Sequence, residues 1–456
     1  MPSAPRGPSS AAAVAAALAL AAPLACQWQQ AAPSTSPGSL AAPAMAGAPN
    51  GSILLFGGRR AVSPTPFSDD TWRWTGDWAQ LPVASGPSGR SEARLVYDLT
   101  RSVHVLYGGW NSVFSIGSAI DETWEFNGVT WSQVTPLATP GGLWKHAMCF
   151  DPVRGRTVAF GGATSGLVGA SAQTWEYDGA TWTQITTVGT PGPRENAAMC
   201  FDASIGRCLL FGGADPLVGA NNQLWLYDGA SWIQVPQVAT WPSARAGAEL
   251  VFHPGRGVSI LTGGVDNIGN ALADTWEFDG LMLTWTPRPP AGAAGRDFGL
   301  AFDAAAQLAV RYGGSGVPGQ TWLYGANTRS FGAGCSGSAG VPSLAAPAPP
   351  RLGQTYALQL TNLVPTVPVA VLVLSLAETP PTPLGGIGMP GCSGYVTPDL
   401  FVAVAGAAGA ATWSGAIPGT PTLLGTSLYA QGLSLDPGFN PAGLTTSNAH
   451  EGLLGL

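Results

Sequence analysis

The chain has 456 residues, enough for two or three domains, and a 45% hydrophobic content ample for buried cores. Its 63 glycines and 40 prolines with only 10% charged residues suit many short strands joined by tight turns, and helix formers other than alanine are scarce. A net charge of −7 without any Lys/Arg cluster excludes general nucleic-acid binding, which needs a basic footprint.

Residues 1–25 read as a secretory signal: Arg6 precedes an Ala/Val/Leu run from Ala11 to Leu24, too short and too alanine-rich for a membrane span. Cleavage after Ala25 predicts a secreted or cell-surface protein, extracellular or periplasmic, with no integral membrane span once the signal is gone. Cys26 then heads the mature chain, and lipid anchoring there is the alternative, although Pro23 stands where a lipobox normally has leucine. Residues 27–30, Gln-Trp-Gln-Gln, match a pattern that recurs downstream as Trp131-Ser-Gln, Trp182-Thr-Gln and Trp232-Ile-Gln.

A Gly-Gly pair ends a hydrophobic run at Gly57, Gly108, Gly161, Gly212, Gly263 and Gly313, at steps of 51, 53, 51, 51 and 50 residues. Six copies at that period mean a solenoid or a propeller. A first tryptophan follows each pair, at Trp72, Trp124, Trp175, Trp225, Trp276 and Trp322; a second follows the first five, at Trp78, Trp131, Trp182, Trp232 and Trp285. Before four of the six pairs, two β-rich runs flank a polar turn opened by Asp98, Asp151, Asp202 or Asp303, where an aspartate can bond backbone amides two residues on. Each copy therefore predicts four antiparallel strands. The sixth lacks a second tryptophan, and Trp28 lies 29 residues before Gly57 where Trp131 and Trp182 lie 30 before their pairs. Residues 26–31 are thus expected to supply the outer strand of the last copy and close a ring, covering an edge that would otherwise template aggregation.

The double glycine followed by TWEFNGVTW at 123–131, TWEYDGATW at 174–182 and LWLYDGASW at 224–232 resembles the kelch repeat over about 300 residues. The resemblance implies an all-β chain whose residues 26–330 form a six-bladed kelch-type β-propeller. It implies no single activity, because function sits in loops grafted onto such folds. In kelch propellers the residue opening the first strand lies near one mouth of the central channel. Here that position carries Arg90, Arg194, Arg245 and Arg296, each 17 or 18 residues before its Gly-Gly, with Lys145 near the same place in another copy. Converging, these cations would draw a carboxylate, phosphate or acidic sugar; alternatively each arginine braces its own blade. Trp110 and Phe114, in a loop after the second Gly-Gly, could stack on a sugar face or pack on each other.

Catalytic constellations are absent from the sequence. His104, His146, His253 and His450 sit in unrelated frames, with no HxxxH or CxxC pair for a metal, no nucleophile elbow and no P-loop, so no cofactor is expected. The expected function is a secreted or cell-surface binding protein recognising a glycan or protein ligand, possibly anionic, through one propeller face. The alternative is a carbohydrate-active enzyme on an acidic sugar, which the resemblance to kelch-like sialic acid epimerases keeps open.

A chain with a signal permits disulfides. Cys200 and Cys208 flank a hairpin turn and could face each other, or with Cys149 could simply be small buried residues. Cys335 and Cys392, each in a Gly-Cys-Ser-Gly setting, are expected to pair. The repeat stops after Tyr324, residues 331–350 read as a Pro/Ala-rich linker, and apolar runs at 355–360, 367–376, 400–404, 410–417 and 427–435 predict a C-terminal β-sandwich over 351–456. That region also resembles an uncharacterised domain of secreted bacterial repeat proteins.

Overall fold

The structure, a computed structural model, describes residues 28–454 apart from 61–65, 113–118, 165–168, 289–293, 316–318, 326–327, 348–349, 352, 421–422 and 424–425. The expected signal segment, Cys26 and Phe114 lie outside the described residues.

Six four-stranded antiparallel sheets follow the six copies. The first contains Ala44–Gly47, Ile53–Phe56, Thr71–Trp74 and Trp78–Gln80; the fifth contains Ala246–His253, Val258–Val265, Thr275–Asp279 and Thr284–Arg288. The second strand of a blade is sandwiched between neighbouring blades, so Ile53–Phe56 is buried at every position and loses the alternation of a one-sided strand. The sixth sheet takes Gly299–Asp303, Leu308–Tyr312 and Thr321–Tyr324 from the end of the propeller and Gln29–Ala31 from its start, with Gln30 opposite Trp322 and Ala31 opposite Thr321. The ring is closed by the N-terminal strand, as the spacing of Trp28 predicts.

The double glycine is a steric requirement. Gly57 and Gly58 have φ of 73° and 104°, and a Cβ on Gly57 would lie 2.5 Å from the Arg90 carbonyl oxygen of the next blade. Outer-strand tryptophans then fasten each blade to the preceding one. The indole N–H of Trp78 donates to Thr321 Oγ1, Trp131 to Thr71, Trp182 to Thr123, Trp232 to Thr174 and Trp28 to Thr275, all at 2.9–3.0 Å. The sixth latch is missing, because Leu224 occupies the threonine position and Trp285 Nε1 is buried without a partner among the described residues. Thr174→Val is expected to put Trp232 in the same state at a cost of about 1–3 kcal/mol. Urea unfolding checks this, and a change below a few tenths of a kcal/mol would show that the latch contributes nothing.

The recurrent aspartates are turn residues. Asp98 Oδ1 accepts from the amides of Thr100 and Arg101 at 2.9 and 3.0 Å, Asp151 from those of Val153 and Arg154, and Asp303 from those of Ala305 and Ala306. Arg154 bridges Asp151 to Glu176, whose carboxylate also accepts from Tyr227 Oη of the next blade at 2.8 Å. Cys200 stands opposite Leu209 and Cys208 opposite Phe201, so the two thiols are out of register and on opposite faces. With Cys149 they are free and buried, the second of the two expectations.

The C-terminal domain is all-β, but in place of two stacked sheets one eight-stranded sheet curls round to near closure. Its order is Thr328–Phe331, Leu444–Leu453, Ser427–Leu435, Val369–Ser375, Leu400–Ala407, Ala410–Ala416, Thr355–Thr361, Ser343–Ala345. The Asn448 side-chain amide spans the gap by accepting from Leu344 N at 2.8 Å and donating to Leu344 O at 2.9 Å, a substitute for a backbone pair. Inward-facing Leu344, Tyr356, Leu358, Leu360, Leu372 and Val404 fill the interior. Residues 331–350 are not a free linker, because they include Cys335, bonded to Cys392, and the strand Ser343–Ala345.

Candidate functional site at the channel mouth

The inner strands of the six blades pack side by side around a central channel. At the start of each of them one residue is left-handed: Ala42 (φ 51°), Glu92 (58°), Lys145 (56°), Asn196 (55°), Gly247 (67°) and Asp297 (57°). That turn aims each amide at the carbonyl of the preceding blade: Ala42 N to Asp297 O at 2.5 Å, Glu92 to Ala42 at 3.2 Å, Lys145 to Glu92 at 3.3 Å, Asn196 to Lys145 at 2.8 Å and Gly247 to Asn196 at 2.9 Å. The mouth is thus framed by a backbone ring, joined by these five bonds, that fixes where the side chains of its five non-glycine residues start. A left-handed Cβ costs roughly 1–2 kcal/mol per non-glycine residue, which the inter-blade bonds offset.

Above the ring opens a cavity of about 380 Å³, mostly polar, lined by Glu92, Lys145, Asn196 and Asp297 with Arg59, Phe67, Trp110, Trp144 and Arg296. One wall is aromatic: Trp110 and Trp144 have ring centroids 4.8 Å apart, and Lys145 Nζ lies 4.2 Å from the Trp144 centroid. Lys145 also pairs with Glu195 at 3.0 Å. Beneath the ring, Arg94 reaches across the channel from the second blade to Glu249 of the fifth at 2.6 Å and donates from Nε to His146 O at 2.8 Å.

Burial, then the nearby Asp297, pushes the Glu92 carboxyl up to about 7 against the opposing pull of Lys145 and Arg94. The folded chain therefore keeps this proton up to about pH 7, whereas an unfolded glutamate loses it near 4.5, so stability falls as pH rises through that window. Glu92→Gln should accordingly raise the melting temperature more at pH 8 than at pH 5. Equal effects at both pH values would remove Glu92 from the groups that titrate there.

The expected arginine ring does not assemble. Arg90, Arg194 and Arg245 are buried, and each donates from Nη1 to the first Gly-Gly carbonyl of its own blade, Gly108, Gly212 and Gly263, at 3.0–3.2 Å. Each also holds the residue two before its blade's first tryptophan: Glu122, Gln223 and Asp274. Those residues in turn accept the indole N–H of Trp124, Trp225 and Trp276. Burial pulls Arg194 down to about 10. Arg296 differs because it sits one residue out of register: its blade's equivalent is Gly295, whose carbonyl accepts from Gly264 N as Arg245's accepts from Gly213 N. Its side chain is 51% exposed and faces Asp297 at 3.3 Å. Arg245→Gln is expected to cost about 2–3 kcal/mol by stripping Asp274 and the Gly263 carbonyl of their donor. A melting temperature unchanged by that substitution would return Arg245 to the pool of ligand-binding candidates.

Of the other candidates, Trp110 does line the cavity, but it packs on Trp144 and is 9% exposed. The four histidines are buried, and desolvation pushes His104, His253 and His450 down to about 4 and His146 to about 3, so they stay neutral. Of the residues that line the mouth, Lys145 was expected beside the arginines, whereas Glu92 and Asn196 escaped sequence reasoning because the position is defined by a backbone angle and shares no residue type. The available signal was the double-glycine register itself, counted two residues past Arg90, Arg194 and Arg245 rather than at them.

Residues 105–298 match a family model described as the KLHDC2/KLHL20/DRC7 Kelch-repeats domain, from the inner part of the second blade to the start of the sixth. No curated protein matches the chain. With six blades, the double-glycine corners and that match, the chain carries a Kelch-repeat β-propeller domain, a type that typically serves as a binding scaffold.

Proposed function

We propose that the propeller is a binding module that takes a glycan at the channel mouth. The observation that carries this reading is the cavity of about 380 Å³, in which Glu92, Lys145, Asn196 and the adjacent Arg296 and Asp297 converge from four blades. A concave, polar site fixed on a rigid ring suits a ligand dense in hydroxyls better than an apolar peptide. The full chain on a glycan array, beside Asn196→Ala, is the test: a defined set of glycans should bind and the variant should lose them at unchanged melting temperature. Wild-type binding to no glycan, or binding indifferent to the mouth residue, removes this reading and leaves a protein ligand.

A second reading, a carbohydrate-active enzyme on an acidic sugar, is favoured by one observation. Glu92 is held near pKa 7 beside Asp297, a pair of neighbouring carboxyl groups of the kind that acid–base chemistry uses. Mutarotation and hydrolysis assays on the array hits decide it, and no turnover above the uncatalysed rate discards it.

A further inference from the structure

We infer that the glycan taken at this mouth carries a free amine, its ammonium seated between Glu92 and Asp297; this rests on the glycan reading above. Of the cations near these two carboxylates, Lys145 and Arg94 are engaged with other acids, while Arg59 and Arg296 line the same cavity. Lys145 is paired with Glu195 at 3.0 Å, and Arg94 is spent on Glu249 at 2.6 Å and on the His146 carbonyl. Arg296 Nε meets Asp297 at 3.3 Å, with its side chain 51% exposed at the rim of the same cavity. Asp297 otherwise accepts from Ser315 Oγ at 3.1 Å. Glu92 has no side-chain hydrogen bond or ion pair among the described residues, although it lines both the mouth cavity and the throat below it. Around the backbone ring the order is Asp297, Ala42, Glu92, so the residue between the two acids contributes only a methyl group and leaves space in front of them.

The chemistry of the gap selects its occupant. A sugar hydroxyl brings one donor and no charge, and an acetamido group brings one N–H and no charge. An ammonium brings three donors and a positive charge to Glu92, which has no ion-pair partner of its own among the described residues. Among the described residues no group of three or more His, Cys, Asp or Glu is arranged to hold a metal ion. The groups facing Glu92 are Asp297, Glu195, Lys145 and Arg94. A bound ammonium would therefore also stabilise the ionised form of Glu92.

Calorimetry on the full chain at pH 7 tests this with the methyl glycosides of glucosamine, galactosamine and mannosamine, each beside its N-acetylated and 2-hydroxy counterparts. At least one amine is expected to bind tenfold or more tighter than both of its counterparts. Glu92→Gln and Asp297→Asn, the latter tolerant of the left-handed backbone, should each erase that preference without lowering the melting temperature. If no amine is preferred in any set, the inference is overturned, whereas the glycan reading stands or falls separately on the array. A preference that survives both substitutions likewise overturns the placement between Glu92 and Asp297.

Discussion

A chain beginning at Ser39 is expected to melt roughly 10 °C or more below the full protein and to aggregate on warming. The loss is large because several independent contacts leave together. The strand Gln29–Ala31 vacates the edge of Thr321–Tyr324, exposing a row of unpaired backbone groups. Trp28, 6% exposed, leaves a hole beside Ile260, Phe298, Leu300 and Tyr324, and its bond to Thr275 is lost. Ser36 no longer meets Tyr312 Oη at 2.9 Å, and Thr35 no longer caps the Trp78 carbonyl. Trp28→Ala alone should cost about 3–5 kcal/mol, in the range for a large buried aromatic. Differential scanning calorimetry with light scattering reads both effects. Superimposable melts of the full and shortened chains would mean that the sixth blade holds itself shut without the N-terminal strand.

The double substitution Cys335→Ser, Cys392→Ser is expected to destabilise the C-terminal domain by about 4 kcal/mol, the loop-closure entropy of a crosslink across 57 residues. The pair lies where the sheet's first crossing must be tied to its last long strand: Cys335 N donates to Thr446 O at 2.9 Å, and Thr446 N donates to Cys335 Sγ at 3.1 Å. Met389, Leu384, Leu433 and Leu444 pack around it, so the bond also organises a satellite of the core. Melting with and without reductant should show the same loss in the wild type, on the order of 15 °C for that domain's transition and none for the propeller's. Peptide mapping without reduction that finds both as free thiols in protein made under oxidising conditions would overturn the assignment.

How much of the site was legible depends on whether a position is marked by residue type or only by geometry. The latch tryptophans were legible because each must fill the same large apolar slot. The arginines were legible as a set but not in their role, since sequence places them near the mouth without saying that a Gly-Gly carbonyl and a carboxylate from the same blade would claim their donors. Leu444–Leu453 was missed as a strand because, hydrogen-bonded on both sides, it carries Thr445, Thr446, Ser447, His450 and Glu451 at buried positions instead of an apolar alternation.

By itself the sequence determined the six-fold period, the four strands per copy, closure by Trp28, and the pairing of Cys335 with Cys392, because each depends on a residue that only one local environment accepts. Tertiary structure alone decided the mouth. Glu92, Lys145, Asn196 and Asp297 come together because a backbone ring forces four different side chains to one rim, and Arg94 meets Glu249 across the channel over 155 positions of sequence. No local preference encodes either arrangement, since both arise only when the sixth blade has closed on the first.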